Sequence, residues 1–206
     1  MKPKSLSAWL GGLLAAVAVS LAPSITWAQA DQVRAQRLHM GSCFICHGAQ
    51  GESTTEIFPR LAGQNAEYIA AQLEAYKTGR RQNAAMANAV ARLTPDEMLA
   101  LGRFYEQLTP PREPAQDPML AGMGKYIYHH GNRFSGVPSC ASCHGADARG
   151  ATTLPRLANQ IPAYLKHSLK QFNTRQRTDA NLVMHMVAER MTELEMAAVA
   201  EYLGAK

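Results

Sequence analysis

Two short stretches hold residues that could do chemistry together. Cys43-Phe44-Ile45-Cys46-His47-Gly48 returns 97 positions later as Cys140-Ala141-Ser142-Cys143-His144-Gly145. These motifs use all four cysteines of the 206-residue chain, so none is left for a disulfide framework. A C-x-x-C pair can supply zinc thiolates, a redox dithiol or the two thiols that attach a haem. The histidine directly after the second cysteine separates these readings. On one helical turn Cys43 and Cys46 lie at i and i+3 and His47 at i+4 from Cys43, so all three project to one face. Two thioethers can then hold a porphyrin edge while the imidazole meets the iron. A four-thiolate zinc site would not need histidine at the same place twice. A thioredoxin-like dithiol needs a βαβ context that is absent here. Cys-x-x-Cys-His is the signature of covalent haem attachment, and this chain carries it twice.

Each iron then needs a second axial ligand. A methionine thioether is soft, favours ferrous iron and raises the potential. Met86 follows His47 by 39 residues and Met184 follows His144 by 40, and each lies eight residues before a threonine, Thr94 or Thr192. Met186 and His185 compete with Met184 for the second iron. Register favours Met184, because Met186 aligns with Asn88, which has no thioether. Met40, Met98, Met119, Met123, Met191 and Met196 read as core filler. A metal-bound imidazole donates its other N–H to a nearby acceptor. Pro59 and Pro155, 12 and 11 residues after the histidines, could supply that carbonyl. Arg60 and Arg156 are candidates to pair with haem propionates, and are otherwise ordinary solvated arginines. His39, His129, His130 and His167 have no repeated partner and read as surface or helix-end residues.

The elements that position these residues are also written twice. Pro59-Arg60-Leu61-Ala62 returns as Pro155-Arg156-Leu157-Ala158, Gln64 and Tyr68 as Gln160 and Tyr164, and Leu73, Tyr76 and Thr78 as Leu169, Phe172 and Thr174. An ordered series of this kind predicts two homologous domains of about 80 residues each. Residues 32–41 and 119–130 read as helices leading into the motifs, and 65–77 and 161–173 as a second helix pair. Thr94-Pro95-Asp96-Glu97 offers an N-cap, a proline at the first helical position and a capping-box glutamate, and Thr192 with Glu195 repeats the box. Met98, Leu101, Tyr105 and Leu108 then share one helical face, as do Met196, Val199, Tyr202 and Leu203. No convincing alternating strand is present. The expected class is all-α, with two tandem domains at 31–109 and 119–206 joined by a Pro-rich linker at 110–118. That linker holds four prolines and no apolar periodicity.

Residues 1–30 read as an address. Lys2 and Lys4 precede an uncharged apolar run from Leu6 to Ala22, and Ala28-Gln29-Ala30 gives a small-residue cleavage pattern. A cleavable signal peptide and export to the periplasm are expected. The whole chain has 21 Lys and Arg against 16 Asp and Glu, a net charge of +5. Loss of Lys2 and Lys4 with the leader lowers that further, which argues against nucleic-acid binding. The basic excess falls on the second half, where Lys166, Lys170, Arg175 and Arg177 cluster before Met184. That cluster is either a docking face for an acidic partner or a solvated helix and loop.

The duplicated Cys-x-x-Cys-His-Gly domains, the segment Ser135-Gly136-Val137-Pro138-Ser139 before the second motif, the paired Pro-Arg-Leu and the late methionines resemble the dihaem cytochrome c4 family. The resemblance spans nearly all of residues 31–206. It implies a periplasmic carrier of single electrons with two covalent haem c groups in domains related by a pseudo-twofold. By motif match Cys43, Cys46, His47 and Met86 serve the first haem, and Cys140, Cys143, His144 and Met184 the second. It further implies electron flow from a cytochrome bc complex towards a terminal oxidase, with peripheral membrane association allowed. The chain departs from the family around its methionines. Gln82-Asn83-Ala84-Ala85-Met86 and Asp179-Ala180-Asn181-Leu182-Val183-Met184-His185-Met186 replace the usual acidic or glycine turn. Two other function classes compete with the free-standing carrier. One is a dihaem subunit of a periplasmic dehydrogenase complex. The other is a peroxidase-like haem enzyme, against which two methionine-capped irons would argue.

Overall fold

The computed structural model describes residues 27–178 and 182–206. Most of the expected leader, and the segment Asp179-Ala180-Asn181, lie outside the described residues. Ten α-helices follow in order: α1 Trp27–Leu38, α2 Phe44–His47, α3 Ala66–Lys77, α4 Ala84–Val90, α5 Pro95–Glu106, α6 Pro118–His130, α7 Ala141–His144, α8 Pro162–Asn173, α9 Val183–Ala188 and α10 Glu193–Gly204. Among the described residues no strand forms. Two isolated antiparallel bridges, Asn132 with Val137 and Ala151 with Leu154, close turns. The five helices of the first half return in the same order in the second.

The helix starts follow from local chemistry. Thr94 accepts the N–H of Glu97 while the Glu97 side chain takes the Thr94 N–H, and Thr192 and Glu195 do the same. Both capping boxes read from the sequence are therefore present. Asp117 accepts from the N–H groups of Met119 and Leu120, with Pro118 at the first helical position, so α6 starts abruptly where the linker ends. The linker is bound rather than free. The Gln116 and Asp117 N–H groups donate to Glu201 on α10, at 2.5 and 3.0 Å.

Each half has its own core. Ile69, Ala100, Leu101 and Tyr105 pack with Ala35 in the first, and Ile127, Tyr128, Leu165, Met196, Val199 and Leu203 in the second. The apolar faces expected on α5 and α10 are the ones buried, with Leu108 and Tyr202 at the core margins. Helix α6 lies so close to α10 that a Cβ at Gly124 would collide with the Ala198 backbone.

The halves differ in how they enter the motif. In the first, α1 runs on through a five-residue π-helical turn, His39–Cys43, directly into α2. In the second, α6 stops at His130, Gly131 adopts φ +69°, and a bridged turn precedes Cys140. The helix expected at 32–41 therefore continues into the motif, whereas the one at 119–130 ends before it.

The halves are joined by polar contacts that repeat across a pseudo-twofold. Arg177 donates to the Tyr68 hydroxyl at 2.5 Å, and Arg81 donates to the Tyr164 hydroxyl at 3.1 Å. Both guanidiniums also reach Gln72. Burial would discharge Arg177, but Tyr68, Tyr164 and Tyr76 around it hold it protonated. The expected basic cluster therefore does not form one face. Arg177 is buried in this interface, Arg175 bonds His185, and Lys166 and Lys170 pair with Glu193 on α10.

Candidate functional site

The two motif helices α2 and α7 are each a single turn, capped by a glycine in the left-handed half of backbone space. Gly48 has φ +85° and Gly145 φ +78°. Cys43 and Cys140 stand at the N-caps of these turns, and Cys46 with His47, and Cys143 with His144, lie within them. All four cysteines are free. Burial raises the Cys43 thiol pKa and pushes that of Cys140 up to about 11. A thiol whose pKa is raised is a poor attacking group for a redox dithiol. Among the described residues no three His, Cys, Asp or Glu side chains gather as a metal cluster. The four-thiolate zinc reading therefore has no structural basis.

The histidines are set up as ligands. His47 and His144 are buried, and burial lowers both pKa values from the ordinary imidazole range, keeping the rings neutral. His47 Nδ1 lies 2.9 Å from the Pro59 carbonyl and His144 Nδ1 3.2 Å from the Pro155 carbonyl. A carbonyl only accepts, so each Nδ1 carries the proton and each Nε2 keeps its lone pair. Both acceptors are the ones expected from the sequence. A neutral imidazole with its tautomer fixed, beside two free thiols on the same turn, fits a covalently attached haem.

The late methionines sit on short helices that pack on the helix following each motif: α4 on α3, and α9 on α8. Asn83 caps α4 by accepting the Met86 N–H at 3.0 Å. Helix α9 starts differently. Leu182 stands at its N-cap with φ +55° and no side-chain cap. Of the competitors for the second iron, His185 is engaged elsewhere, with Nδ1 on the Phe172 carbonyl at 3.0 Å and Nε2 on Arg175 at 3.0 Å. Met186 is 47% exposed, whereas Met184 is half-buried.

Three expectations need correction. His39 is not a surface residue. It is 1% exposed, bonded to the Tyr105 hydroxyl at 2.8 Å and to the Ala49 carbonyl at 3.0 Å. Without a histidine in the second repeat to match it, no periodicity marks it as core. Met98, Met191 and Met196 are core filler, but Met40, Met119 and Met123 are exposed. Neither arginine of the Pro-Arg-Leu pair is an ordinary solvated one. Arg60 is buried and donates to the carbonyls of Glu52, Ser53 and Asn159 and to Glu113. Arg156 is half-buried against Ala158 and Asn159. His129 and His130 do close a helix, as expected, with His129 on the Tyr202 hydroxyl.

The family model for cytochrome c matches residues 32–109 and 124–205, one match for each half. Cytochrome c4 of Thiocapsa roseopersicina is 40% identical over 187 residues, spanning 88% of this chain and 94% of that one. The thiosulfate dehydrogenase electron acceptor of Thiomonas intermedia is 34% identical over 195 residues, spanning 92% and 90%. Among solved structures, cytochrome c4 of Acidithiobacillus ferrooxidans superposes with a TM-score of 0.74 at 32% identity, covering 81% of this chain and 99% of that one. Two attachment turns, two neutral buried imidazoles and a match in both halves lead to one conclusion. The chain belongs to the cytochrome c family, as a dihaem cytochrome c4 with two covalent haem c groups, an electron carrier rather than an enzyme.

Proposed function

We propose that this protein carries single electrons between redox proteins of the periplasm, in a respiratory chain that ends at a terminal oxidase. Cys43 and Cys46 attach the first haem, with His47 and Met86 as its axial ligands. Cys140 and Cys143 attach the second, with His144 and Met184. The single observation that carries this reading is the paired hydrogen bond from each motif histidine to a proline carbonyl, which leaves each Nε2 lone pair free to act as a ligand. The commitment of His185 to Phe172 and Arg175 supports Met184 over its neighbour.

When bound, the haems supply reversible one-electron chemistry at iron. The chain's own residues do the rest. Pro59 and Pro155 hold the imidazole tautomers, and with His47 and Met86, and His144 and Met184, as ligands each iron would have no position left for substrate. Export rests on the leader expected at residues 1–30. Among the described residues no helix is long and apolar enough to cross a membrane.

A pyridine haemochrome count with a redox titration tests this. Two covalent haems per chain, with the weak far-red band of ferric haem ligated by methionine sulfur, are the expected result. Colour extracted by acid–acetone would sink it.

A second reading is supported by the relative from Thiomonas intermedia, described as the electron acceptor of a thiosulfate dehydrogenase. On that reading the immediate donor is a dehydrogenase rather than a cytochrome bc complex. Copurification with a catalytic subunit, and reduction that depends on that subunit's substrate, would favour it.

A further inference from the structure

Gln64 and Gln160 stand at matching places in the two halves, and the attachment motifs use neither. Both are buried. Gln160 reaches into the first domain, where its Oε1 accepts the Arg60 backbone N–H at 2.9 Å and its Nε2 donates to the Arg60 carbonyl at 2.9 Å. Gln64 does the same to Arg156 in the second domain, at 2.8 and 2.9 Å. Each Oε1 also accepts the N–H of the residue that follows it, Ile161 or Asn65, at 3.0 Å. Backbone N–H groups only donate, so the orientation of both amides is set by these contacts.

The Arg60 N–H and the Pro59 carbonyl belong to one planar peptide group. His47 of the same domain bonds the oxygen of that group, and Gln160 of the other domain bonds its nitrogen. The Pro155–Arg156 peptide is held in the same way by His144 and Gln64. Accepting the N–H shifts electron density towards the carbonyl oxygen, so the two bonds strengthen each other. A stronger acceptor on Nδ1–H makes Nε2 a more basic ligand. A more basic axial ligand favours ferric over ferrous iron.

We infer that Gln64 and Gln160 are positioning residues that act across the domain interface, each lowering the reduction potential of the haem in the opposite domain through the Pro–Arg peptide that its axial histidine bonds. The inference rests on His47 and His144 being the iron ligands proposed above. Its consequence is a crossed dependence. A change at Gln160 is read at the first haem, and a change at Gln64 at the second. Opening of the interface by a docked partner would raise both potentials together.

The test uses the holoprotein. Gln160→Leu is expected to raise the potential of the first haem, by a threefold or larger shift in its reduction equilibrium constant, about 28 mV at 59 mV per decade. The second haem should stay at its wild-type value. Gln64→Leu should do the reverse. Haem-methyl resonances, assigned through contacts to residues between each cysteine pair, tell the two haems apart. The Nδ1–H proton of His47 in the reduced protein should move upfield in Gln160→Leu, as its bond weakens. Tyr68→Phe serves as a control, since it removes an interface contact that touches neither peptide. Should Gln160→Leu fail to hold haem, Gln160→Asn, one methylene too short to reach Arg60, should give the same shift. No shift, a shift at the haem of the substituted domain, equal shifts at both haems, or an equal effect of Tyr68→Phe would each overturn the inference. Failure of the underlying ligand assignment would appear separately, as a wild-type spectrum without two histidine–methionine haems.

Discussion

His39 and Tyr128 make the same kind of contact in the two halves of the chain. Each is buried near the end of its domain's first helical segment, and each bonds a backbone carbonyl just past a Cys-x-x-Cys-His motif: Ala49 for His39 at 3.0 Å, Gly145 for Tyr128 at 2.6 Å. The role is shared although the residue type is not. A polar group on a buried ring pins the chain as it leaves the motif.

Replacing His39 by leucine removes both of its bonds: the buried Tyr105 hydroxyl loses its histidine partner, while the exposed Ala49 can turn to water. Each buried group left unpaired costs about 1–3 kcal/mol. Denaturant unfolding should therefore show a loss of roughly 1–3 kcal/mol, confined to the first domain. A variant within 0.5 kcal/mol of wild type, at about the error for a neutral surface change, would mean that the two bonds contribute nothing net.

The methionine assignment can be read from spectra. Met184→Leu should remove about half of the far-red band and let carbon monoxide bind one reduced haem. Met186→Leu and His185→Gln should leave both unchanged, since Met186 faces solvent and His185 is held by Phe172 and Arg175. Carbon monoxide binding in Met186→Leu would transfer the role to Met186.

Arg156 lies half-buried beside the second motif's proline, and burial together with Arg149 and Arg112 lowers its pKa. If it serves a haem propionate, Arg156→Gln removes a nearby positive charge and stabilises ferric iron. The second haem's potential should then fall, opposite in sign to the rise expected for Gln64→Leu. A potential equal to wild type would leave Arg156 with its contacts to Ala158 and Asn159 alone.

Tyr164 gives the domain interface a pH dependence. Burial works to raise its phenol pKa, but Arg177 and Arg81 bring it down to about 8. In the unfolded chain it returns to about 10. Between these values the unfolded state binds the extra proton, so stability rises with pH. The contribution is fully present above about pH 10 and is lost as pH falls through about 8. Tyr164→Phe should flatten the rise when unfolding is compared at both ends of that window. An unchanged slope would mean that Tyr164 does not ionise between the arginines.

The two capping boxes differ in context. Glu97 is half-buried and pairs with the exposed Arg34, whereas Glu195 is buried and also accepts from Asn132. Thr94→Ala should cost about 1 kcal/mol and Thr192→Ala nearer 2 kcal/mol, measured as shifts in each domain's unfolding transition.

Sequence by itself determined the attachment motifs, the duplication, both capping boxes, the buried faces of α5 and α10, and the proline acceptors. These are legible because each is local or periodic. A motif occupies one helical turn, a capping box spans four residues, and a helical face repeats every three to four. Only tertiary structure decided that His39 is core, that Arg177 is an interface residue rather than part of a docking patch, and that His185 is turned to Arg175. The cross-domain glutamine pair belongs with these. Gln160 meets Arg60 across 100 positions of chain, and its repeat with Gln64 marks the residue without saying what it bonds. Which polar groups end up buried against each other depends on how two separately legible domains dock, and no spacing along the chain carries that.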